Sequence, residues 1–150
     1  GRYAHHGALA GLSQADHVAI DAALEASDAS ALAARAFDRL SVGEQQRVLL
    51  ARALATGAEA ILFDEPTSAL DIGHALAFMA LMRRLAADGR VVVVVLHQLD
   101  EVRRVADHAV LLHDGRVLAA GAPADVLAAG PLRTAYGVEP DGSGYRLVKP

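Results

Sequence analysis

Leu40-Ser41-Val42-Gly43-Glu44-Gln45-Gln46-Arg47-Val48-Leu49-Leu50-Ala51-Arg52-Ala53-Leu54-Ala55 decides the fold. Ser41, with Glu44 three residues on and apolar residues at helical spacing beyond, is a capping box. It predicts a helix beginning after Ser41, with Val48, Leu49, Ala51, Leu54 and Ala55 as its apolar stripe and Gly57 as its stop. A helix start of this kind presents unpaired amide N–H groups and the positive end of the helix dipole, a setting that suits an anion. Ser41 adds a hydroxyl, and Gly43 lets the backbone come close to a phosphate oxygen. An ordinary helix start fits the same residues, so the neighbouring segments must decide.

Downstream, residues 60–63 read as a short apolar strand closed by Asp64 and Glu65. Asp71 or Ile72 opens a helix with Leu76, Met79, Met82 and Leu85 on one face, closed by Gly89. The valine run in 91–96 reads as a strand buried on both faces. A helix over 99–105 follows, then a hairpin of 110–112 and 117–119 about an Asp114-Gly115 turn. Pro123 suits the first turn of a helix ending near Gly130. Residues 137–150 predict a loose tail with one edge strand at Leu147-Val148. Upstream, Leu9, Leu12, Val18, Ile20, Leu24, Leu32 and Phe37 are spaced as short amphipathic helices, with Ser13 and Ser27 or Asp28 as N-caps. Strand and helix alternation predicts an α/β fold, a parallel sheet with flanking helices, joined to a helical subdomain. The expected division is a helical part over 1–56, the α/β part over 57–136, and the tail over 137–150.

Composition narrows the function classes. Hydrophobic residues make up 53% of the 150 and charged residues 21%, which excludes a disordered chain. A net charge of -4 announces no nucleic-acid surface. Without cysteine there is no disulfide framework and no thiolate metal site. The aliphatic run at 91–96 is far shorter than the roughly 18 residues of a membrane span.

Chemistry concentrates between Ser41 and His97. Asp64 and Glu65, at the C-terminal edge of a parallel sheet, stand where α/β ligand sites lie, although a solvated turn reads equally from the pair alone. There Asp64 suits Mg²⁺, and Glu65 suits the orientation or deprotonation of an attacking water. Asp71 is at least a helix cap. His97 ends the valine strand, whereas the other histidines show no metal spacing and read as surface residues. No Gly-x-x-x-x-Gly-Lys-[Ser/Thr] loop occurs, since the single lysine, Lys149, lies between Val148 and Pro150.

In order and spacing these segments resemble an ABC transporter ATP-binding subunit. Residues 40–55 resemble its signature helix, Asp64-Glu65 its Walker B end, Ser68 and Asp71 its D-loop, and His97 its switch histidine. Val42 departs from the pattern, which usually has Gly there. The resemblance implies a partial P-loop ATPase fold that corresponds to the C-terminal part of such a subunit, lacks its Walker A loop and is inactive alone. It implies ATP and Mg²⁺ as cofactors. Asp64 would hold the metal and Glu65 and His97 would be catalytic. Ser41, Val42, Gly43, Glu44, Ser68 and Asp71 would meet nucleotide or the partner subunit. The implied partners are a second ATPase subunit, membrane permease subunits and, indirectly, a substrate-binding protein, on the cytoplasmic face of the inner membrane. Gly1-Arg2, His6, Ser13, Asp16 and the run 47–54 are most similar to importers of iron-siderophores, haem or cobalamin. A non-transport ABC ATPase of DNA repair or translation, or a non-catalytic interaction module, is the alternative.

Overall fold

A computed structural model describes residues 1–5, 11–68, 70–142 and 144–148. His6, Leu9 and Lys149, all used above, lie outside the described residues. The chain divides into two units, Gly1–Leu96 and His97–Pro150.

The first unit contains α1 (Gln14–Ala26), α2 (Val42–Ala55), β1 (Ala60–Asp64), α3 (Ile72–Ala87) and β2 (Val91–Val95). Ser13 caps α1 through a capping box with Asp16, as expected. Ser27 does not open a helix but closes α1, its Oγ donating to the Ala23 carbonyl at 2.9 Å. The last turn of a helix has carbonyls without amide partners, and a serine hydroxyl satisfies one of them. Ala29, Leu32 and Leu40 form a small core with Leu24 of α1 and Val48 of α2.

Helix α2 starts where the capping box places it, but its buried stripe is Leu50, Ala51, Leu54 and Ala55. Leu49, expected inside, is exposed. Periodicity gives the presence of a stripe, while packing against α1 sets its rotation. Strands β1 and β2 pair in parallel, from Ala60 opposite Val91 to Asp64 opposite Val95. Helix α3 buries Phe78, Met79, Leu81, Met82 and Leu85, and the Phe78 ring meets Phe63 of β1 edge-on at 5.3 Å. Leu76, expected on this face, is exposed.

The opposite face of the strand pair carries Leu62 (70% exposed), Val91, Val93 (50%) and Val95. Burial of β2 on both faces is therefore corrected. The alternating exposure along Val91–Val95 shows that only one face is covered by the described residues.

The second unit contains α4 (Leu99–Val105), β3 (Ala109–His113), β4 (Arg116–Gly121), α5 (Pro123–Val126), α6 (Ala129–Tyr136), β5 (Val138–Asp141) and β6 (Gly144–Leu147). The β3–β4 hairpin turns at Asp114 and Gly115, with φ of 48° and 71°. A type I′ turn needs positive φ at both central residues, which is why Asp-Gly serves there. Its core is Ala109, Leu111, Val126 and the fully buried Leu132.

Two expectations fail in this unit. The helix that begins at Pro123 ends at Val126, and a separate α6 follows and closes at Gly137 in the left-handed conformation (φ 66°). The tail is not loose but forms the antiparallel β5–β6 hairpin. It is clamped by charge, with Glu139 accepting from Arg133 at 2.6 Å and from Arg146 at 2.7 Å. An ion-paired strand containing Pro140 carries no apolar alternation, so a pattern search passes over it.

Candidate functional site

The N-terminus of α2 is built by reciprocal hydrogen bonds. Ser41 Oγ accepts from the Glu44 amide at 3.3 Å, and Glu44 Oε2 accepts from the Ser41 amide at 2.8 Å. The first contact uses a lone pair of the Ser41 oxygen. The Val42 and Gly43 amides accordingly have no acceptor among the described residues. Val42 is 63% exposed and Ser41 is exposed, so this helix end faces solvent. Val42 is absent from the residues with positive φ, so the helix start asks for no glycine there.

The carboxylate at this helix end is paired with a cation. Glu44 Oε1 takes a hydrogen bond from Arg35 Nη1 at 2.6 Å, and Arg35 Nη2 also reaches the Arg39 carbonyl at 3.3 Å. The Ser41 amide, then the Ser41 hydroxyl, then Arg35 hold the Glu44 carboxyl below its ordinary value of 4.5. The Asp71 carboxyl is lowered likewise, first by the His74 amide and then by the His74 ring.

A lowered folded-state value means the stabilisation is complete above the unfolded value and is lost as pH falls through the folded one. The melting temperature of this chain is therefore expected to hold steady above the carboxylate range and to drop below it. In Glu44→Gln, which keeps an acceptor for the Ser41 amide but loses the titrating charge, the acid slope should be shallower. Superimposable pH–melting curves for the two proteins would remove Glu44 from this account.

The second element is the turn after β1. Asp64 is exposed at the C-terminal end of the strand. Glu65 follows with φ 46°, a left-handed conformation immediately before Pro66. Both features are unfavourable for a residue with a side chain, since a following proline favours extended backbone. Such strain costs on the order of 1–3 kcal/mol and persists only where surrounding contacts impose it. Here the Glu65 amide donates to the Val95 carbonyl at 3.1 Å, and its own carbonyl accepts from the Ser68 amide at 3.2 Å and Ser68 Oγ at 3.0 Å. Ser68 thus clamps the turn from below. Asp71 caps α3, its Oδ1 accepting from the His74 amide at 2.9 Å.

Two contacts tie α2 to this turn. Gln46 Nε2 donates to the Pro66 carbonyl at 3.2 Å, and Arg47 Nη1 meets His74 Nε2 at 2.8 Å. Between α2 and β1 lies an open cleft of about 190 Å³ whose walls include Gln46, Leu49, Leu62 and Asp64. Ser41, Val42, Gly43, Glu44, Asp64, Glu65, Ser68 and Asp71 all belong to this first unit. His97 is the exposed first residue of the second unit.

Sequence reading missed Arg35, Gln46, Arg47 and His74. His74, read as a surface residue, keeps 43% of its side chain exposed, yet both of its ring nitrogens are bonded. Its one local signal was the Asp71-x-x-His74 spacing at the start of a helix.

No group of three His, Cys, Asp or Glu side chains able to hold a metal occurs among the described residues. Asp64 alone is an oxygen ligand of the kind Mg²⁺ takes when substrate phosphates complete its shell. The open α2 amides suit an anion, and the Asp64 carboxylate separately suits a cation.

The capped helix α2 is thus tied to the turn that carries two carboxylates at the edge of a parallel strand pair. The chain carries an ABC transporter domain, the family model described as "ABC transporter" matching residues 5–68. It is 48% identical over 143 residues to the hemin import ATP-binding protein HmuV of Rhodococcus jostii, covering 92% of this chain and 49% of that protein. In structure it is similar to an inward-facing metal-chelate type ABC transporter, with a TM-score of 0.82 and 27% identity over 97% of this chain and 60% of that one. It is also similar to the dimeric bacterial ABC transporter cassette MJ0796, with a TM-score of 0.68 and 32% identity over 76% of this chain and 50% of that one. The chain spans about half the length of the curated relatives it matches.

Proposed function

We propose that these residues serve in the ATP-hydrolysing subunit of an importer for haem, an iron-siderophore or cobalamin. One observation carries this reading. The α2 start is held beside the Glu65 turn by the 3.2 Å Gln46–Pro66 hydrogen bond, so the anion-binding helix and the carboxylates form one body. Similarity to the haem-import protein favours the cargo class.

In this reading Glu65 orients the attacking water and takes its proton. Its backbone is held in a left-handed conformation at the end of β1. Asp64 would hold Mg²⁺, which neutralises charge on the phosphates. His97 contacts the terminal phosphate. The Ser41–Glu44 start, with the Ser41 hydroxyl and the Val42 and Gly43 amides as donors, meets the nucleotide held by a second ATPase subunit. Ser68 and Asp71 face that subunit. The dimeric cassette among the structural relatives supports such pairing. The loop that grips the triphosphate lies outside these 150 residues, because no Gly-Lys-[Ser/Thr] occurs within them. Residues 1–56 then form the helical part that meets permease subunits, 57–136 the catalytic α/β part, and 137–150 a terminal appendage. A substrate-binding protein would deliver cargo to the permease, and the ATPase would sit on the cytoplasmic face of the inner membrane.

Ser41→Arg tests the proposal. It fills the open helix end with a long side chain while leaving the buried face of α2 untouched. ATP hydrolysis by the assembled ATPase carrying these residues should fall about 100-fold or more, with far-ultraviolet circular dichroism unchanged. Hydrolysis at the unsubstituted rate would take the α2 start out of the site.

A further inference from the structure

The contact between Arg47 and His74 fixes the tautomer of the His74 ring. Arg47 Nη1 lies 2.8 Å from His74 Nε2, and a guanidinium has only donors. His74 Nε2 must therefore be the acceptor, which places the ring proton on Nδ1. Consistently, Nδ1 lies 2.7 Å from Asp71 Oδ2, a carboxylate acceptor. Three groups of like geometry are thus joined in one direction, from Arg47 through neutral His74 to Asp71.

The remaining charge nearby is Asp28, whose Oδ2 accepts from the same Arg47 Nη1 at 3.0 Å. Arg47 Nε is buried without an acceptor among the described residues, so the guanidinium is held by its Nη1 contacts. Each element in the line is different. Asp28 follows α1, Arg47 is in α2, His74 is in the first turn of α3, and Asp71 ends the loop that begins at Glu65.

We propose that His74 is a positioning residue. Its Nδ1–H tautomer couples the α2 helix to Asp71, so that the anion-binding helix start and the Glu65–Asp71 loop move together. The functional half of this inference rests on the ATPase reading above. A proton added to Nε2 would set two donors against each other and release Arg47.

Two measurements test this. In the first, ¹⁵N spectra of the [¹⁵N]histidine-labelled chain at neutral pH, in solution or as a sedimented solid, are assigned with His74→Gln. Nδ1 should be protonated and Nε2 bare, the reverse of the tautomer that free imidazole side chains favour. Arg47→Met should shift the ring toward Nε2–H. An Nε2–H or doubly protonated ring in the unsubstituted chain overturns the coupling, and so does an Arg47→Met spectrum without change.

The second is hydrolysis by the assembled ATPase. A glutamine amide can accept from Arg47 and donate to Asp71, so His74→Gln should stay near the unsubstituted rate. His74→Leu should lower kcat about tenfold, the worth of one well-placed hydrogen bond, with KM for ATP little changed. Equal rates for the two variants overturn the positioning role. Should the unsubstituted assembly fail to hydrolyse ATP, the ATPase reading falls, and the imidazole spectrum still decides the coupling.

Discussion

Glu65→Gln in the assembled ATPase should leave ATP bound and reduce hydrolysis by about 10²–10³-fold. Glutamine keeps the shape and the side-chain length, so the backbone at φ 46° and the bonds to Val95 and Ser68 are undisturbed. What is lost is a carboxylate able to accept a proton from water. The amide can still hydrogen-bond that water but cannot become its base. The expected pattern is a fall in kcat with little change in nucleotide affinity, the mark of an interaction made in the transition state. The substituted ATPase should consequently accumulate its nucleotide-bound form. A variant that turns over ATP within a few-fold of the original would assign the proton transfer elsewhere.

Phe78→Ala should destabilise the chain by about 3–5 kcal/mol. Phe78 is 5% exposed, and its ring meets Phe63 at 85°. Such an edge-on pair adds roughly 0.5–1.5 kcal/mol to the burial itself. The site should feel the loss, because Phe63 is the residue before Asp64 and its ring fixes the end of β1. Denaturant unfolding checks the magnitude, with Leu76→Ala on the exposed side of the same helix as control. The control should change stability by less than about 0.5 kcal/mol. If the two variants unfold alike, α3 does not pack on β1 through this ring.

Both predictions draw on residues that differ in how readable they were. Glu65 was visible because a carboxylate after an apolar strand is a local pattern. Phe78 was not, since Leu76 and Met79 offered an equally regular stripe and only the position of β1 selects between them. Leu49 and Leu50 pose the same problem on α2, where neighbouring leucines differ in exposure because the helix is turned to meet α1.

The amino-acid order alone determined the capped start of α2, the cap of α3 at Asp71, the Asp114-Gly115 turn and the placement of Asp64 and Glu65 at a strand end. Each of these is enforced within a few residues of chain, by a side chain bonding a nearby amide or by a backbone angle that few residues accept. Tertiary structure decided the rest. Arg47 and His74 meet although they lie 27 positions apart, Arg35 reaches Glu44 from a preceding loop, and Glu65 is forced into a left-handed conformation by partners on β2 and in its own turn. Contacts of this kind depend on how elements are set against one another, and short-range spacing carries no record of that.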